Sequence, residues 1–180
     1  MQKFCNYILH TLLGWKVEGS LPDRKQSVLF VMLPHTSNWD FVIGMLFIKV
    51  EKIKVTAFGK NGFYFFPFKM FYHYFNVVPI RRNSSDNFVQ QATTRYQQNA
   101  PLWTVMAPEG TRKKVENLKT GYYYLAKEAK VQIVLCGVDF ARKAIIVKPA
   151  RAIYPSVKQD HADLTVFAQS LVAKHPEFSI

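Results

Sequence analysis

Short apolar runs alternate along this chain with longer segments in which apolar residues recur at helical spacing. The continuous runs predict six buried strands, at 27–33, 54–58, 77–80, 102–107, 133–138 and 144–147. The helical spacing predicts helices at 39–50, 84–98, 120–130 and 162–174. Strands that alternate with helices predict one α/β domain, with a largely parallel or mixed central sheet flanked by helices.

The N-terminus carries a further pattern of apolar residues. Residues 1–24 are predicted to form an amphipathic helix and lead-in that belong to the same domain as residues 25–180. The apolar stripe of this helix consists of Phe4, Ile8, Leu12 and Trp15. Two interpretations remain open: the helix packs on the domain, or it lies in a membrane interface with lysines at its flanks.

Composition narrows the class of protein. With 49% hydrophobic and 15% aromatic residues, the chain is predicted to fold around a real core rather than to be disordered. Its two cysteines, Cys5 and Cys136, lack companions at ligand spacing, so neither a disulfide scaffold nor a structural zinc site is predicted. No apolar run reaches the roughly 18 residues that a membrane-spanning helix needs.

The net charge of +12 predicts an anionic partner: a nucleic acid, an anionic membrane surface or a phosphorylated substrate. The basic residues form no long helical stripe, and no known nucleic-acid motif is visible, so no nucleic-acid partner is predicted. Polar clusters at 35–40, 81–86 and 108–114 each follow a predicted strand. Because ligands of such sheets gather where strands end, we expect these clusters to line one cleft.

The cluster at 35–40 has two interpretations. His35 in a loop and Asp40 in the first turn of the next helix can converge, so that the carboxylate orients the imidazole as a general base. No serine nucleophile is needed if the substrate supplies the attacking hydroxyl. The alternative is a capping box, in which Ser37 and Asp40 satisfy the helix terminus and His35 has no assigned role.

The cluster at 108–114 has the composition of an anion site. Gly110 permits a tight turn with exposed N–H groups, and Arg112 can bind a phosphate through two parallel hydrogen bonds. A solvated basic turn is the alternative, as it is for Arg81 and Arg82 after their strand. The aromatic segment at 61–78 is interpreted either as core or as an apolar groove for a fatty chain.

In this order and spacing, the motifs resemble those of the glycerolipid acyltransferases, a family that includes 1-acylglycerol-3-phosphate acyltransferases. The matching segments are His35-x4-Asp40, Val78–Arg82, Pro108–Arg112 and Leu118–Gly121. The resemblance spans about residues 25–140, most of the chain. The chain departs from the family pattern at Pro34, at Ala107 and in the strand ending at Cys136, which lacks the family's prolines.

The resemblance implies transfer of a fatty acyl group from acyl-CoA or acyl-carrier protein to a hydroxyl of lysophosphatidic acid or a related lysophospholipid. His35 would act as the base and Asp40 would orient it. The phosphate-binding residues would be Arg82, Glu109, Gly110, Thr111 and Arg112, with Arg81, Lys119 and Gly121 as additional candidates.

Neither a cofactor nor a metal is expected, because the thioester is a co-substrate. Positive charge and interfacial aromatic residues would seat the protein on the cytoplasmic face of the inner membrane, peripherally and without a transmembrane helix. Two alternatives remain: an acyltransferase for a non-phosphate acceptor such as an aminolipid or glycolipid, and a non-catalytic lipid- or anion-binding module of the same fold.

Overall fold

The computed structural model describes residues 1–60, 70, 73–80 and 88–180. The helices are α1 (Gln2–Asn6), continued by a π-helical segment (Tyr7–Leu12), α2 (Asn38–Val50), α3 (Phe88–Gln98), α4 (Gly121–Ala129), α5 (Val157–Gln169) and a final 3-10 turn (Pro176–Phe178). The strands are β1 (Lys16–Gly19), β2 (Val28–Met32), β3 (Val55–Lys60), β4 (Val77–Ile80), β5 (Trp103–Met106), β6 (Gln132–Asp139) and β7 (Ala144–Val147).

The strands form one mixed sheet in the order β1-β7-β6-β2-β5-β3-β4. The five strands from β6 to β4 in this order are mutually parallel, whereas β7 pairs with β6 in the antiparallel sense and β1 runs parallel to β7. The predicted α/β domain with a largely parallel or mixed sheet and flanking helices is therefore confirmed.

The central strands are apolar on both sides because helices cover both faces of the sheet. In β2, Val28 and Phe30 point into the core beneath the N-terminal helix and α2, while Leu29 and Val31 point into the opposite core. The opposite core is filled by α3, α4 and α5. This three-layer arrangement leaves the carboxyl ends of β2 and β5 side by side, since the two strands pair in parallel.

Strand β1 and helix α5 differ from the sequence prediction. Strand β1 was not predicted, because Lys16–Gly19 is short and half polar at the edge of the sheet. The predicted helix at 162–174 is wrong in its bounds: α5 begins five residues earlier, where the Ser156 hydroxyl accepts a hydrogen bond of 3.1 Å from Gln159 N–H. It also ends five residues earlier, and Leu171 and Ala173 reach the core from an irregular segment.

The N-terminal helix buries only part of the predicted stripe. Trp15, which follows the helix, is buried as predicted, but within the helix Cys5 and Leu9 are the buried residues, whereas Phe4 and Leu12 are 66% and 67% exposed. Among the helices that the structure describes, none combines the length and the apolar character required to cross a bilayer.

Candidate active site

His35 lies in the loop between β2 and α2, and Asp40 lies in the first turn of α2. The helix starts here because Ser37 caps it: the Ser37 hydroxyl accepts from Trp39 N–H at 3.1 Å, and the Asp40 carboxylate accepts from Ser37 N–H at 2.9 Å. This reciprocal pair is a capping box. The cap fixes the position of the Asp40 carboxylate, which is almost fully buried.

The capping carboxylate also contacts the imidazole of His35. Asp40 Oδ2, the oxygen that accepts from Ser37 N–H, lies 3.1 Å from His35 Nδ1. With the proton on Nδ1, the ring donates to the carboxylate and Nε2 is left as a base. The His35 side chain is 15% exposed, so it is held by the protein and still reachable from a cleft.

Glu109 connects the first motif to the third. Its Oε2 accepts a hydrogen bond of 2.8 Å from the backbone N–H of His35, and the residue is 2% exposed. Burial raises the pKa of Glu109, and the hydrogen bond from His35 N–H opposes that rise. Within the part of the chain that the structure describes, Oε1 is buried with no hydrogen-bond partner. Glu109 therefore holds the loop that carries His35, and burying its carboxylate with one oxygen unpaired costs stability.

The turn that follows β5 depends on glycine. Gly110 has φ +66° and donates its N–H to Ala107 O at 3.1 Å, so this amide is committed within the turn rather than free for a ligand. A β-carbon at Gly110 would clash with the ammonium of Lys119. Lys119 in turn donates its backbone N–H to Pro108 O at 2.8 Å. The turn thus brings the side chain of Lys119 against Gly110, two residues before Arg112.

A polar pocket of about 740 Å³ opens on one side of His35. Its lining includes His35, Thr111, Arg112, Lys113, His175 and Phe178. The positive charges of Arg112 and Lys113, together with several N–H and O–H donors, make this pocket suited to an anion such as a phosphate.

An apolar cavity of about 1350 Å³ also borders His35 and shares Gly110 and Arg112 with the polar pocket. Its apolar lining includes Met32, Gly44, Met45, Ile48, Val105 and Leu118. Asp40, Arg112, Lys119 and Gly121 also border it, at the end near His35. The site therefore combines a large apolar cavity with a cationic pocket, and His35 borders both.

Cys136 also borders this cavity. Burial raises the pKa of its thiol to about 12, so the sulfur is protonated at neutral pH. No group of three or more His, Cys, Asp or Glu side chains capable of holding a metal occurs in the described ranges.

The structure brings most of the predicted site residues together. His35, Asp40, Glu109, Gly110, Thr111 and Arg112 meet at the ends of β2 and β5, and Lys119 and Gly121 lie at the adjoining cavity. Arg81 and Arg82, together with most of the aromatic segment, lie outside the described residues.

One contributor was missed by sequence reasoning. The C-terminal segment reaches the site, since His175 N–H donates to the buried Thr36 hydroxyl at 3.2 Å. No local pattern predicts a contact between residues so distant in sequence.

Comparison with known proteins agrees with this geometry. A family model described as acyltransferase matches residues 15–139. The fold is similar to the crystal structure of PlsC, the 1-acyl-sn-glycerophosphate (LPA) acyltransferase from Thermotoga maritima, with a TM-score of 0.63 and 16% identity over 94% of this chain and 75% of that one. No curated protein sequence matches the chain. The family model spans well over half of the chain and includes both His35 and Arg112, so this protein belongs to the acyltransferase family.

Proposed function

We propose that this protein transfers a fatty acyl group from acyl-CoA or acyl-carrier protein to a hydroxyl of lysophosphatidic acid or a related lysophospholipid. The observation that carries the proposal is that His35, paired with Asp40, borders both an apolar cavity and a cationic pocket. An acyl chain and a phosphate are the two parts of such a substrate pair that need these two environments.

In the proposed reaction, His35 Nε2 accepts the proton of the acceptor hydroxyl as its oxygen attacks the thioester carbonyl carbon. The carbon–sulfur bond then breaks, and the thiol leaves with the proton that His35 held. Asp40 accepts from Nδ1–H throughout, so its negative charge stabilises the imidazolium that forms between these steps. The substrate supplies the nucleophile, so no covalent enzyme intermediate is required.

Glu109 is a positioning residue in this scheme, because it touches the backbone of His35 and not the reacting atoms. By fixing the loop, it holds the imidazole between the two pockets with little freedom to rotate away.

The two pockets suggest how the substrates lie. The fatty chain would occupy the apolar cavity lined by α2, and Arg112 with Lys113 would bind phosphate in the cationic pocket. Arg82, and Arg81 beside it, remain predicted phosphate ligands from the second motif. Lys119 and Gly121, at the cavity mouth, would border the thioester.

Binding to an anionic membrane surface is part of the proposal, and it would place the protein peripherally at the cytoplasmic face. The support is the number of large apolar side chains left exposed at the N-terminus and on α2, which packs beside the N-terminal helix: Met1, Phe4, Tyr7, Leu12, Trp39 and Val42. Cosedimentation with phosphatidylcholine vesicles, with and without phosphatidylglycerol, tests it. Phe4→Ser with Leu12→Ser should weaken binding without lowering the melting temperature, because both side chains are exposed in the folded protein.

The proposed activity is tested with purified protein, radiolabelled acyl-CoA or acyl-carrier protein, and a panel of lysolipids with and without a phosphate. Wild type should acylate lysophosphatidic acid, and His35→Ala should lose about 10²–10⁴-fold in rate. His10→Ala is the matched control, because His10 contacts Trp15 O at 2.7 Å, away from the site. Transfer that survives in His35→Ala would refute the general-base role; transfer only to phosphate-free lipids would identify the alternative acceptor class. A wild type inactive with both donors would instead favour the binding module.

A further inference from the structure

We propose that His175, on the C-terminal segment, is a further phosphate-binding residue that completes the cationic pocket beside His35. The inference rests on the proposed function, because the phosphate belongs either to the acceptor lipid or to the CoA or phosphopantetheine of the donor. Both sources present the same chemistry to the pocket, a phosphate ester that needs several N–H donors.

The C-terminal segment is fixed to the catalytic loop, not merely near it. His175 donates its backbone N–H to the hydroxyl of Thr36, the residue that follows His35, at 3.2 Å. Thr36 is buried, and upstream Phe140 N–H donates to Val172 O at 2.8 Å, so the segment is held from two sides. The segment therefore forms a wall of the pocket whose position follows that of His35.

The side chain of His175 has the chemistry that this wall needs. His175 borders the pocket that Arg112 and Lys113 also line, and its ring packs on Phe178 at 5.8 Å between ring centroids. Its Nδ1 lies 3.4 Å from Glu177 Oε1, which leaves Nε2 as the nitrogen able to donate to a ligand. A histidine at such a position adds a directional donor where the lysine and arginine supply charge.

His175 lies beyond the segment that the acyltransferase family model matches, which ends at residue 139. As a pocket residue contributed by the C-terminal segment, it would adjust the affinity for one phosphate-bearing substrate.

Steady-state kinetics separates binding from chemistry. We compare wild type, His175→Ala and His175→Gln, varying acyl-CoA at saturating lysophosphatidic acid and then the reverse. His175→Ala should raise the KM of one phosphate-bearing substrate about five- to tenfold with kcat nearly unchanged, the size expected for one half-exposed charge-assisted donor. His175→Gln, which keeps a donor, should recover part of the loss. The substrate whose KM rises identifies the source of the phosphate.

Two variants distinguish ligand binding from simple anchoring of the C-terminus. Lys174→Ala removes a neighbouring cation whose ammonium lies over Phe140, 5.6 Å from the ring centroid, and should leave both KM values unchanged. Glu177→Gln removes the carboxylate beside His175 and should preserve or improve phosphate affinity. If the ring of His175 acted only by holding the C-terminal turn through this contact, Glu177→Gln would behave like His175→Ala.

Direct binding tests the inference independently of turnover. Trp39 borders the pocket and is 51% exposed, whereas Trp15 and Trp103 are buried, so its fluorescence should report ligands there. Free CoA and sn-glycerol 3-phosphate serve as probes, and Trp39→Phe verifies the signal. His175→Ala should weaken one probe by the same five- to tenfold as the KM.

The outcomes are distinct. A wild type without transferase activity would refute the proposed function, but the fluorescence titration would still decide the role of His175. Unchanged affinity for both probes in His175→Ala would overturn the inference. A lowered melting temperature and kcat with unchanged KM would also overturn it, because that pattern indicates a structural role.

Discussion

Replacing Asp40 by asparagine separates the electrostatic role of this residue from its role as a helix cap. The Asp40 carboxylate accepts from Ser37 N–H at 2.9 Å and lies 3.1 Å from His35 Nδ1, both through Oδ2. An asparagine oxygen at the same place still accepts both hydrogen bonds. What the substitution removes is the negative charge, which matters only when His35 becomes positive during the reaction.

The size of the effect follows from the distance. Opposite unit charges at the 3.1 Å separation of His35 and Asp40 attract by about 5 kcal/mol at an effective dielectric constant of about 20. The retained amide dipole keeps part of this stabilisation, so we expect a loss of about 2–4 kcal/mol in the transition state. That loss corresponds to a fall in kcat of roughly 30- to 1000-fold.

Asp40→Asn and Asp40→Ala should differ in their effects on thermal stability. Asp40→Asn keeps an oxygen that can accept both hydrogen bonds, so it should shift the melting temperature by no more than about 2 °C. Asp40→Ala leaves the Ser37 N–H and the imidazole without their acceptor, at about 1–3 kcal/mol for a buried unsatisfied group. In a chain of 180 residues this should lower the melting temperature by roughly 3–10 °C.

A capping mutation elsewhere controls for destabilisation. Ser156→Ala removes the cap of α5, where the hydroxyl accepts from Gln159 N–H at 3.1 Å. It should cost about 1 kcal/mol and leave kcat unchanged. The assay is single-turnover acyl transfer, paired with thermal unfolding. If Asp40→Asn keeps kcat within threefold of wild type, the carboxylate is only a cap and the electrostatic reasoning is refuted.

Three further predictions concern a buried carboxylate, the cavity and the opposite core. Burial raises the pKa of Glu109 above its ordinary 4.5. The folded protein therefore loses stability as the pH rises from 4.5 through this raised pKa, because the buried carboxyl becomes charged. Glu109→Gln should melt at a higher temperature than wild type at pH 8, and the difference should vanish near pH 4. Gly44→Leu should shift acyl selectivity towards shorter chains at undiminished stability, because a β-carbon at Gly44 meets none of the described atoms within 4 Å and the residue borders the apolar cavity. Asp160→Ala should cost about 3–5 kcal/mol, since it strips buried partners from Tyr122 and Arg151, both at 2.8 Å, while activity per folded molecule is retained.

Each of these has a matched comparison. For Glu109→Gln, equal melting temperatures at both pH values would contradict the cost assigned to the buried charge. The control for Gly44→Leu is Val42→Leu on the same helix: the Val42 side chain is exposed in the folded protein, so this substitution should leave the acyl chain-length preference unchanged. If Gly44→Leu also leaves that preference unchanged, the proposed site for the fatty chain is contradicted. Asp163→Ala, at a position 38% exposed, should cost far less than Asp160→Ala.

The fold was predictable where both faces of an element are buried. Strand β2 is a continuous apolar run because Phe30 and Val31 enter opposite cores, and a strand with one face in water would alternate with polar residues instead. Strand β1 carries no such signal. Its pairing with β7 depends on a backbone approach at Gly19, which has φ +102° and where a β-carbon would clash with the Val147 carbonyl. A single glycine in a polar stretch does not reveal that approach.

The site divides in the same way. Residues within one motif, such as His35 and Asp40, are constrained by the short chain between them, so sequence reasoning could place them. Contacts between motifs depend on the sheet order, which puts β2 next to β5 and so brings Glu109 to His35. The contact of His175 with Thr36 depends further on where α5 ends, and the prediction from the sequence placed that end five residues too late.

The capping box and the histidine–aspartate pair are rival interpretations of one stretch of sequence only as long as the stretch is considered alone. The structure makes them parts of a single arrangement, because the same Oδ2 serves the Ser37 N–H and the imidazole. A carboxylate already held by a backbone N–H has few rotamers left to lose when it orients a neighbouring ring, so capping reduces the entropic cost of preorganisation. A helix-start signal is therefore no argument against catalysis when a histidine precedes it; here the cap is what aims the carboxylate.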